Sequence, residues 1–275
     1  MSLYIASLNS GSNGNCYYVG NDDEAVLIDA GISCRETEKR MNRLGLAIEK
    51  VKAIFISHEH SDHINGLEVL SKKYQIPVYI TPKTLLNTRV TLLEKLNNSF
   101  TPYIPINIGK LSVIAFSKCH DADDPHSFVV SGNGVNIGVL TDIGSVCKDV
   151  KDNFLQCHAA FLEANYDDQM LEEGNYPYHL KKRISGNHGH LSNAQALSLF
   201  VKHKPTFMSH ILLAHLSKDN NCPDKVLQLF ATHSGKTNVS IASRYNESEV
   251  FHIVSPQKIR LKNILIRSNQ MSLFD

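Results

Sequence analysis

The sequence predicts an α/β fold in which two β-sheets pack face to face and helices cover their outer surfaces. Strand-like runs and helical spacings alternate in two successive blocks, and 42% of the 275 residues are hydrophobic. A chain of this size and composition can bury one sizeable core. No internal repeat or long linker interrupts it. We therefore expect one domain over residues 1–254, followed by a basic C-terminal arm over residues 255–275.

The first block contains short β-forming runs separated by Gly, Asn and Asp, which indicate strands joined by tight turns. The continuous apolar run at residues 51–56 is typical of a strand that is buried on both faces. The predicted strands are residues 3–8, 16–19, 25–28, 51–56 and 78–80. The predicted helices are residues 35–44, 64–74 and 83–96, the last opened by Thr-Pro.

The second block repeats this alternation. A Ser-Gly-Asn-Gly segment between two apolar runs predicts a β-hairpin over residues 128–140. The predicted strands are residues 111–116, 128–130, 135–140, 159–162, 206–209, 239–241 and 250–253. The predicted helices are residues 192–202 and 224–232.

The composition excludes several classes of protein. Lys plus Arg is 28 and Asp plus Glu is 27, which gives a formal net charge of +1. A protein with so little net charge would have to bind nucleic acid through a local basic patch. No apolar stretch approaches the ~20 residues that a membrane span needs, and the first residues do not resemble a secretory signal. The six cysteines include no CxxC pair, which favours reduced thiols in a cytoplasmic protein over a disulfide framework.

A cluster of metal-ligand side chains directly follows the buried strand at residues 51–56. The segment SHEHSDH, residues 57–63, contains three histidines and an aspartate. These side chains cannot share one face of a helix, but they can converge from a tight loop between a strand and a helix. Imidazole and carboxylate are ligands for zinc, manganese and iron. The alternative is a loop of solvated histidines, and the further His and Asp residues at later strand ends favour the metal site.

The HxHxDH pattern after an apolar strand resembles the metallo-β-lactamase superfamily, whose fold is an αββα four-layer sandwich. The segment LIDAG, residues 27–31, resembles the first motif of that superfamily, in which Asp29 would support the ligand loop rather than bind metal. The segments CHDA (residues 119–122), TDIG (residues 141–144) and AHLS (residues 214–217) stand where the remaining ligand motifs are expected.

This resemblance implies a site for two divalent ions, with zinc or manganese expected and iron as an alternative. One ion would be bound by His58, His60 and His120, the other by Asp62, His63 and His215, and Asp142 would bridge them. Two such ions activate a bridging hydroxide and clamp a phosphoryl group. Asp62 and Asp142 are accordingly expected to be catalytic.

A finer resemblance is to the YycJ/WalJ-type family within this superfamily. Its blocks GSxGN, HDAxxP, ExN(H/Y)D, GHLSN and HLSxxNN match residues 11–15, 120–125, 163–167, 189–193 and 215–221. The resemblance implies a nuclease, with 5′-to-3′ exonuclease action on DNA in replication or repair. The family has a Gly-Phe pair after the Pro of its second block, whereas this chain has His126-Ser127-Phe128.

Two segments are expected to bind a substrate phosphate. Small residues in the loop at residues 10–15 would let backbone amides approach an anion, with Ser10, Ser12 and Asn13 as contacts; an ordinary tight turn is the alternative. The block GHLSN precedes a predicted helix, so His190, Ser192 and Asn193 could hold a phosphate at its N-terminus. Plain helix capping by Ser192 is the alternative there.

Two further residues have expected roles in catalysis. His190 could act as a general acid for the leaving oxygen. Glu163 directly follows an apolar run and could orient a ligand histidine by accepting a hydrogen bond from the ring nitrogen that does not face the metal. The alternative is that Glu163 is an acid on the protein surface. Tyrosines and basic residues over positions 166–183 could bind a nucleic-acid strand, although such a stretch is more often a solvated helix face.

The chain ends in QMSLFD, residues 270–275, which resembles the short peptide by which bacterial replication and repair proteins dock on the sliding clamp. Gln270, Leu273 and Phe274 would make the contacts, and the alternative is that the apolar pair folds back on its own domain.

A rival function on the same di-metal site is hydrolysis of small esters, thioesters or lactones. A non-catalytic adaptor tethered to the clamp is a third hypothesis, which the intact ligand set disfavours.

Overall fold

The structure, a computed structural model, describes residues 2–255. Its first sheet contains β1 (Ser2–Asn9), β2 (Cys16–Gly20), β3 (Ala25–Ile28), β4 (Val51–Phe55), β5 (Val78–Tyr79) and β6 (Asn97–Asn98). Its second sheet contains β7 (Ile106–Ile108), β8 (Leu111–Ser117), β9 (His126–Gly132), β10 (Val135–Leu140), β11 (Ala159–Glu163), β12 (His210–Ala214) and β13 (Asn238–Ile241). The last strand, β14 (Phe251–Val254), returns to pair antiparallel with β1, which completes the first sheet.

Helices cover both outer faces. Those beside the first sheet are α1 (Cys34–Arg43), α2 (Ser61–Ile64), α3 (Leu67–Tyr74) and α4 (Pro82–Leu86). Those that follow strands of the second sheet are α5 (Lys148–Phe154), α6 (Asp168–Glu173), α7 (Tyr178–Ser185), α8 (Asn193–His203) and α9 (Pro223–Ala231). Short 3-10 turns span Ile48–Lys50 and Glu94–Leu96. Among the described residues, no helix has the length and apolar character that crossing a membrane requires.

The core forms three apolar layers, as a four-layer sandwich requires. Between the sheets, the ring of Tyr17 packs on Phe161 at 4.8 Å between centroids, and Phe55 packs on Phe128 at 5.8 Å. A second buried layer lies between the first sheet and its helices, and a third between the second sheet and its helices. The predicted fold class, two packed sheets with helices outside, is confirmed.

Parallel pairing places the ends of several strands at one edge of the sandwich. β3, β4, β5 and β6 are parallel neighbours, and so are β10, β11, β12 and β13. The segments that leave the carboxyl ends of β3, β4, β8, β10, β11 and β12 carry the candidate ligands and the supporting residues Asp29 and Glu163. Open α/β sheets bind ligands at the carboxyl ends of their strands for this topological reason.

Three predicted elements differ from the structure. The helix expected at residues 64–74 is divided at Gly66, whose amide donates to Ala30 O and where a Cβ would overlap Ile32 O. The helix expected at residues 83–96 ends at Leu86, because β-branched residues follow and favour extended backbone. The strand expected at residues 206–209 is instead β12, formed by the apolar run four residues later.

The predicted C-terminal arm lies outside the described residues apart from Ser255. The clamp-binding role of Gln270, Leu273 and Phe274 therefore stays a prediction.

Candidate metal centre

Asp29 fixes the histidine-rich loop after β4. Its buried carboxylate accepts hydrogen bonds from the amide of Ser57 at 2.8 Å, the hydroxyl of Ser57 at 2.9 Å and Nδ1 of His63 at 2.7 Å. The backbone of Asp29 is left-handed, with φ 62°. These contacts orient the His63 ring so that its Nε2 faces away from Asp29, toward the other predicted ligands.

Three histidines form the first group of predicted ligands. One ring nitrogen from each of His58, His60 and His120 lies within 4.8 Å of the other two. Nε2 of His58 is 3.1 Å from Nδ1 of His60. His120 donates from Nδ1 to Gly189 O at 2.9 Å, which leaves its Nε2 as the nitrogen available to the group.

An aspartate and two histidines form the second group. Oδ2 of Asp62 is 3.4 Å from Nε2 of His63 and 3.5 Å from Nε2 of His215. His215 has left-handed backbone, with φ 56°, and its amide donates to the hydroxyl of Ser10 at 2.8 Å. The hydroxyl of Ser10 thus holds the turn that aims the His215 ring at Asp62.

Asp142 lies between the two groups. One carboxylate oxygen, Oδ2, is 3.3 Å from Nε2 of His63. The other, Oδ1, is 3.5 Å from Nε2 of His215 and 3.9 Å from Nε2 of His120. The left-handed backbone of Asp142, with φ 55°, turns the side chain back over the end of β10. A carboxylate shared by both groups has the position that a bridging ligand would need.

The donor set fits divalent metal ions. Nε2 of His120 and Oδ2 of Asp142 are buried, and neither has a hydrogen-bond partner among the described residues. Unpartnered buried polar atoms are destabilising and rare in native proteins. Converging imidazole nitrogens and carboxylate oxygens are the ligands that zinc, manganese and iron take. The cluster is therefore suited to binding a divalent metal.

Burial and charge together set the protonation of the cluster. Burial lowers the pKa of His120 to about 4, and it also lowers the pKa of His58. Burial opposes charge on His215 too, but the neighbouring carboxylates, led by Asp142, outweigh it and raise its pKa to about 10. Burial would raise the pKa of Asp142, yet the charges of His215 and His63 hold that pKa well below its usual value. Asp142 is thus ionised, as a metal ligand must be.

The buried carboxylate of Glu163 hydrogen-bonds four groups of the site. Its Oε1 accepts hydrogen bonds from Nδ1 of His190 at 2.7 Å and Nδ1 of His215 at 3.2 Å. Its Oε2 accepts the amides of Ile143 at 2.6 Å and Leu191 at 3.2 Å. Burial opposes its ionisation, but the charge of His190 and the hydrogen bonds bring its pKa down to about 2. One buried carboxylate thus orients two rings and two backbone turns.

An open cavity of about 420 Å³ lies over the cluster. His60, Asp62, Asp142, His190 and His215 line its floor, and the side chain of His190 is 20% exposed there. The helix α7 forms one wall. A phosphodiester group could enter this cavity and reach the cluster.

Of the residues predicted to bind phosphate, the structure brings Ser12 and His190 to the cavity lining. Ser10 is buried, and its hydroxyl is occupied by the amide of His215 and the phenol of Tyr17. The side chain of Asn13 donates to Arg244 O. These hydrogen bonds keep both side chains away from the cavity.

The two residues predicted at the start of α8 are occupied in the same way. Ser192 caps α8 in a reciprocal pair with Gln195, which is the alternative that the sequence left open. Asn193 is buried and exchanges hydrogen bonds with Asn221.

Three contact residues escaped the sequence analysis. Asn15 donates to Asp62 Oδ2 at 3.0 Å, and Asn165 donates to His215 O at 2.8 Å. Both lie in blocks already singled out, so their amides could have been considered as supports. Lys118 is buried and donates to Thr141 O at 2.7 Å beside Asp142. Nothing in the sequence distinguishes it from a lysine at a solvated strand end.

Comparisons with known proteins identify the family that the chain resembles. Residues 10–113 match the metallo-beta-lactamase superfamily. The chain is 37% identical over 225 residues to exodeoxyribonuclease YycJ of Bacillus anthracis, covering 80% of this chain and 85% of that protein. It is 32% identical over 221 residues to exodeoxyribonuclease WalJ of Streptococcus pneumoniae strain D39, covering 78% of this chain and 81% of that protein.

Solved structures show the same fold. The metallo-beta-lactamase fold protein YhfI from Bacillus subtilis superimposes with a TM-score of 0.71 at 17% identity, covering 92% of this chain and 100% of that chain. Both relatives are more than 30% identical to the chain over more than three quarters of its length. The chain therefore belongs to the YycJ/WalJ family of the metallo-β-lactamase superfamily.

Proposed function

We propose that the protein is a metal-dependent exodeoxyribonuclease that removes nucleotides from 5′ ends of DNA in replication or repair. The observation that carries the proposal is the convergence of five imidazoles and two carboxylates under one open cavity. The names of the YycJ and WalJ relatives support DNA as the substrate. We assign this activity to a catalytic domain over residues 1–254, in the cytoplasm.

We assign two ion positions to the cluster, with zinc or manganese as the ions and iron as the alternative. One position is formed by His58, His60 and His120, the other by Asp62, His63 and His215, and Asp142 is shared. Ions bound there would polarise a phosphoryl oxygen and lower the pKa of a coordinated water. The ionised carboxylates of Asp62 and Asp142 supply the negative charge that such ions need.

His190 and Glu163 are the residues of the chain that would handle the leaving group. The hydrogen bond from Nδ1 of His190 to Glu163 fixes the ring at the cavity edge and leaves Nε2 available to substrate. Nε2 would donate a proton to the leaving oxygen. Glu163 acts through His190 and is a positioning residue.

The helix α7 offers the local basic surface that DNA would need on a nearly neutral chain. Leu180, Arg183 and Ile184 face the cavity. On the side away from it, Lys182 lies over the ring of Tyr178 at 5.4 Å, and that tyrosine is 74% exposed. Lysines neutralise phosphates and an exposed aromatic ring stacks with bases. This arrangement supports a polynucleotide substrate over a small ester.

A labelled duplex tests the proposed function. The purified protein is incubated with manganese or zinc and a 5′-phosphorylated duplex labelled at the 5′ end in one sample and at the 3′ end in another. The proposal expects the 5′ label to leave at once as a mononucleotide, while the 3′-labelled strand shortens progressively. A panel of thioesters and lactones is tested in parallel. Hydrolysis of those compounds without cleavage of DNA would contradict the proposal.

A tether to the sliding clamp is a separate proposal that rests on the sequence of residues 270–275 alone. The full chain and a variant with Leu273→Ala and Phe274→Ala are compared for binding to purified clamp. The tether predicts that the variant loses binding while its nuclease activity on short DNA is unchanged. Equal binding of both proteins would contradict it.

A further inference from the structure

Arg244 is held against the glycine-rich loop at residues 10–15, which we call the glycine loop. The amide of Ser10 donates to Ser243 O at 3.1 Å, and the side chain of Asn13 donates to Arg244 O at 2.7 Å. Gly11 has φ 130°, and a Cβ there would meet the Cβ of Arg244 at 3.4 Å. The backbone of Arg244 is therefore fixed beside the glycine loop. The two are far apart in the sequence: 228 positions separate Arg244 from Cys16, the first residue after the loop.

The guanidinium of Arg244 is not neutralised by the protein. Nη2 donates a long hydrogen bond to the hydroxyl of Ser12 at 3.4 Å. Nη1 is shielded from solvent and has no hydrogen-bond partner among residues 2–255. By contrast, the guanidinium groups of Arg43 and Arg183 each pair with a carboxylate at 2.5 Å. A shielded charged donor without a partner is destabilising, and an anion bound by the guanidinium would relieve that cost.

The glycine loop connects Arg244 with the metal centre. On one side, Asn15 donates to Asp62 Oδ2 at 3.0 Å, and on the other side Ser12 contacts Arg244. Ser12 lines the same cavity as Asp62 and His215. Arg244 is thus connected through Ser12 to the lining of the cavity that contains the cluster.

The pKa of Tyr176, a residue of the cavity lining, is affected by the positive charge of Arg244. Its phenol donates to Asp219 at 2.9 Å and lines the cavity. Burial and that hydrogen bond raise the pKa of Tyr176, whereas the positive charge of Arg244 counteracts them. The guanidinium is therefore within electrostatic reach of the cavity wall.

We propose that Arg244 and Ser12 bind the terminal 5′-phosphate of the DNA strand, next to the phosphodiester that is cleaved. The planar guanidinium can offer two parallel N–H groups to phosphate oxygens, and the hydroxyl of Ser12 supplies a third donor. A phosphate monoester carries more negative charge than a diester, which suits an arginine without a carboxylate partner. This inference rests on the proposed function and adds its end specificity.

Binding of single-stranded oligonucleotides tests the inference without metal. Fluorescence anisotropy in EDTA compares a 5′-phosphorylated oligonucleotide with its 5′-hydroxyl counterpart. We expect Arg244→Gln to weaken binding of the 5′-phosphorylated strand by about 10- to 100-fold, because charge-assisted hydrogen bonds are lost. Binding of the 5′-hydroxyl strand should not change. Arg89→Gln, which removes the same charge from an exposed position after α4, is the matched control.

Two further variants protect the test against a folding defect. Arg244→Lys keeps the positive charge but lacks the parallel N–H donors of the guanidinium, so its loss of affinity for the 5′-phosphorylated strand should be intermediate. Ser12→Ala removes only the hydroxyl. Thermal unfolding of each variant is compared with that of the wild type. If Arg244→Gln folds and binds both strands as the wild type does, or loses both equally, the assignment to the terminal phosphate is wrong.

The inference and the proposed function fail in different ways. Bis(p-nitrophenyl) phosphate is a small diester with no terminal phosphate, so Arg244→Gln with manganese should lose far less activity on it than on 5′-phosphorylated DNA. A loss there equal to the loss on DNA would overturn the inference, because it would mean general damage to the site. Failure of the wild-type protein to cleave any DNA would instead overturn the proposed function.

Discussion

Nδ1 of His190 donates a hydrogen bond of 2.7 Å to the buried carboxylate of Glu163. The same carboxylate oxygen receives Nδ1 of His215 at 3.2 Å, so one acid sets the orientation of a predicted metal ligand and of the predicted proton donor. Orientation of ligand histidines by a carboxylate behind them is worth about 10- to 100-fold in metal affinity or activity. The first prediction follows from this contact.

Glu163→Gln should lower kcat on DNA by about 10- to 100-fold. If the remaining oxygen of the amide accepts both rings, its NH2 group faces the backbone amides of Ile143 and Leu191, which are also donors. Steady-state kinetics of the variant is the measurement, with the exposed Glu94→Gln as the control. A kcat within twofold of the wild type would show that Glu163 does not orient the site.

Divalent metal should stabilise the folded protein. An ion that binds only the folded state adds about 2.7 kcal/mol when its concentration is 100 times its Kd. Thermal unfolding with zinc or manganese should therefore give a higher Tm than unfolding in EDTA. The shift should shrink strongly in His120→Ala and Asp142→Asn, since each removes a ligand with an unpartnered buried atom. An equal shift in wild type and both variants would place the ions elsewhere.

Ser10→Ala should act on stability and metal binding rather than on substrate binding. The hydroxyl of Ser10 accepts the amide of His215 and hydrogen-bonds the phenol of Tyr17, so its loss leaves the buried amide without a partner and the phenol with Asn15 alone. We expect the free energy of unfolding in urea to fall by about 1–3 kcal/mol. Ser12→Ala is the matched control, because that side chain is exposed, and it should not change stability. The opposite ranking of the two variants would contradict the structural role of the Ser10 hydroxyl.

Gly66→Ala should destabilise the protein by about 1–3 kcal/mol or more. The backbone of Gly66 has φ −96°, which suits any residue, so the effect comes from the overlap of a Cβ with Ile32 O rather than from backbone strain. Gly45→Ala is the control, since a Cβ there meets nothing within 4 Å. Its φ of 67° makes a cost of about 1 kcal/mol expected. Urea denaturation of both variants separates steric overlap from strain.

Sequence reasoning predicted the two packed sheets, and the same topology explains why the candidate ligands lie together. Ligand side chains such as His58 and Asp142 directly follow apolar runs, and parallel strands bring their carboxyl ends to one edge. Periodicity could not show that α3 begins only after Gly66, because the break is caused by a tertiary contact with Ile32. The hydroxyl of Ser10 was assigned to substrate because its partner, the amide of His215, is 205 positions away in the sequence.

Arg244 illustrates the same limit. It follows β13 in a stretch without a motif, and only the folded chain brings it beside Ser12. A single arginine in a loop carries no signal in the sequence, whereas a guanidinium donor without a partner is visible once its neighbours are known.

The metal content of the purified protein tests the central claim most directly. The protein is dialysed against zinc or manganese, freed of unbound ions, and measured by inductively coupled plasma mass spectrometry against protein concentration. The account predicts two ions per chain in the wild type and a clear loss in Asp142→Ala, whose carboxylate lies between the two groups of ligands. A wild-type protein that retains no divalent ion, or an Asp142→Ala protein that retains both, would contradict it.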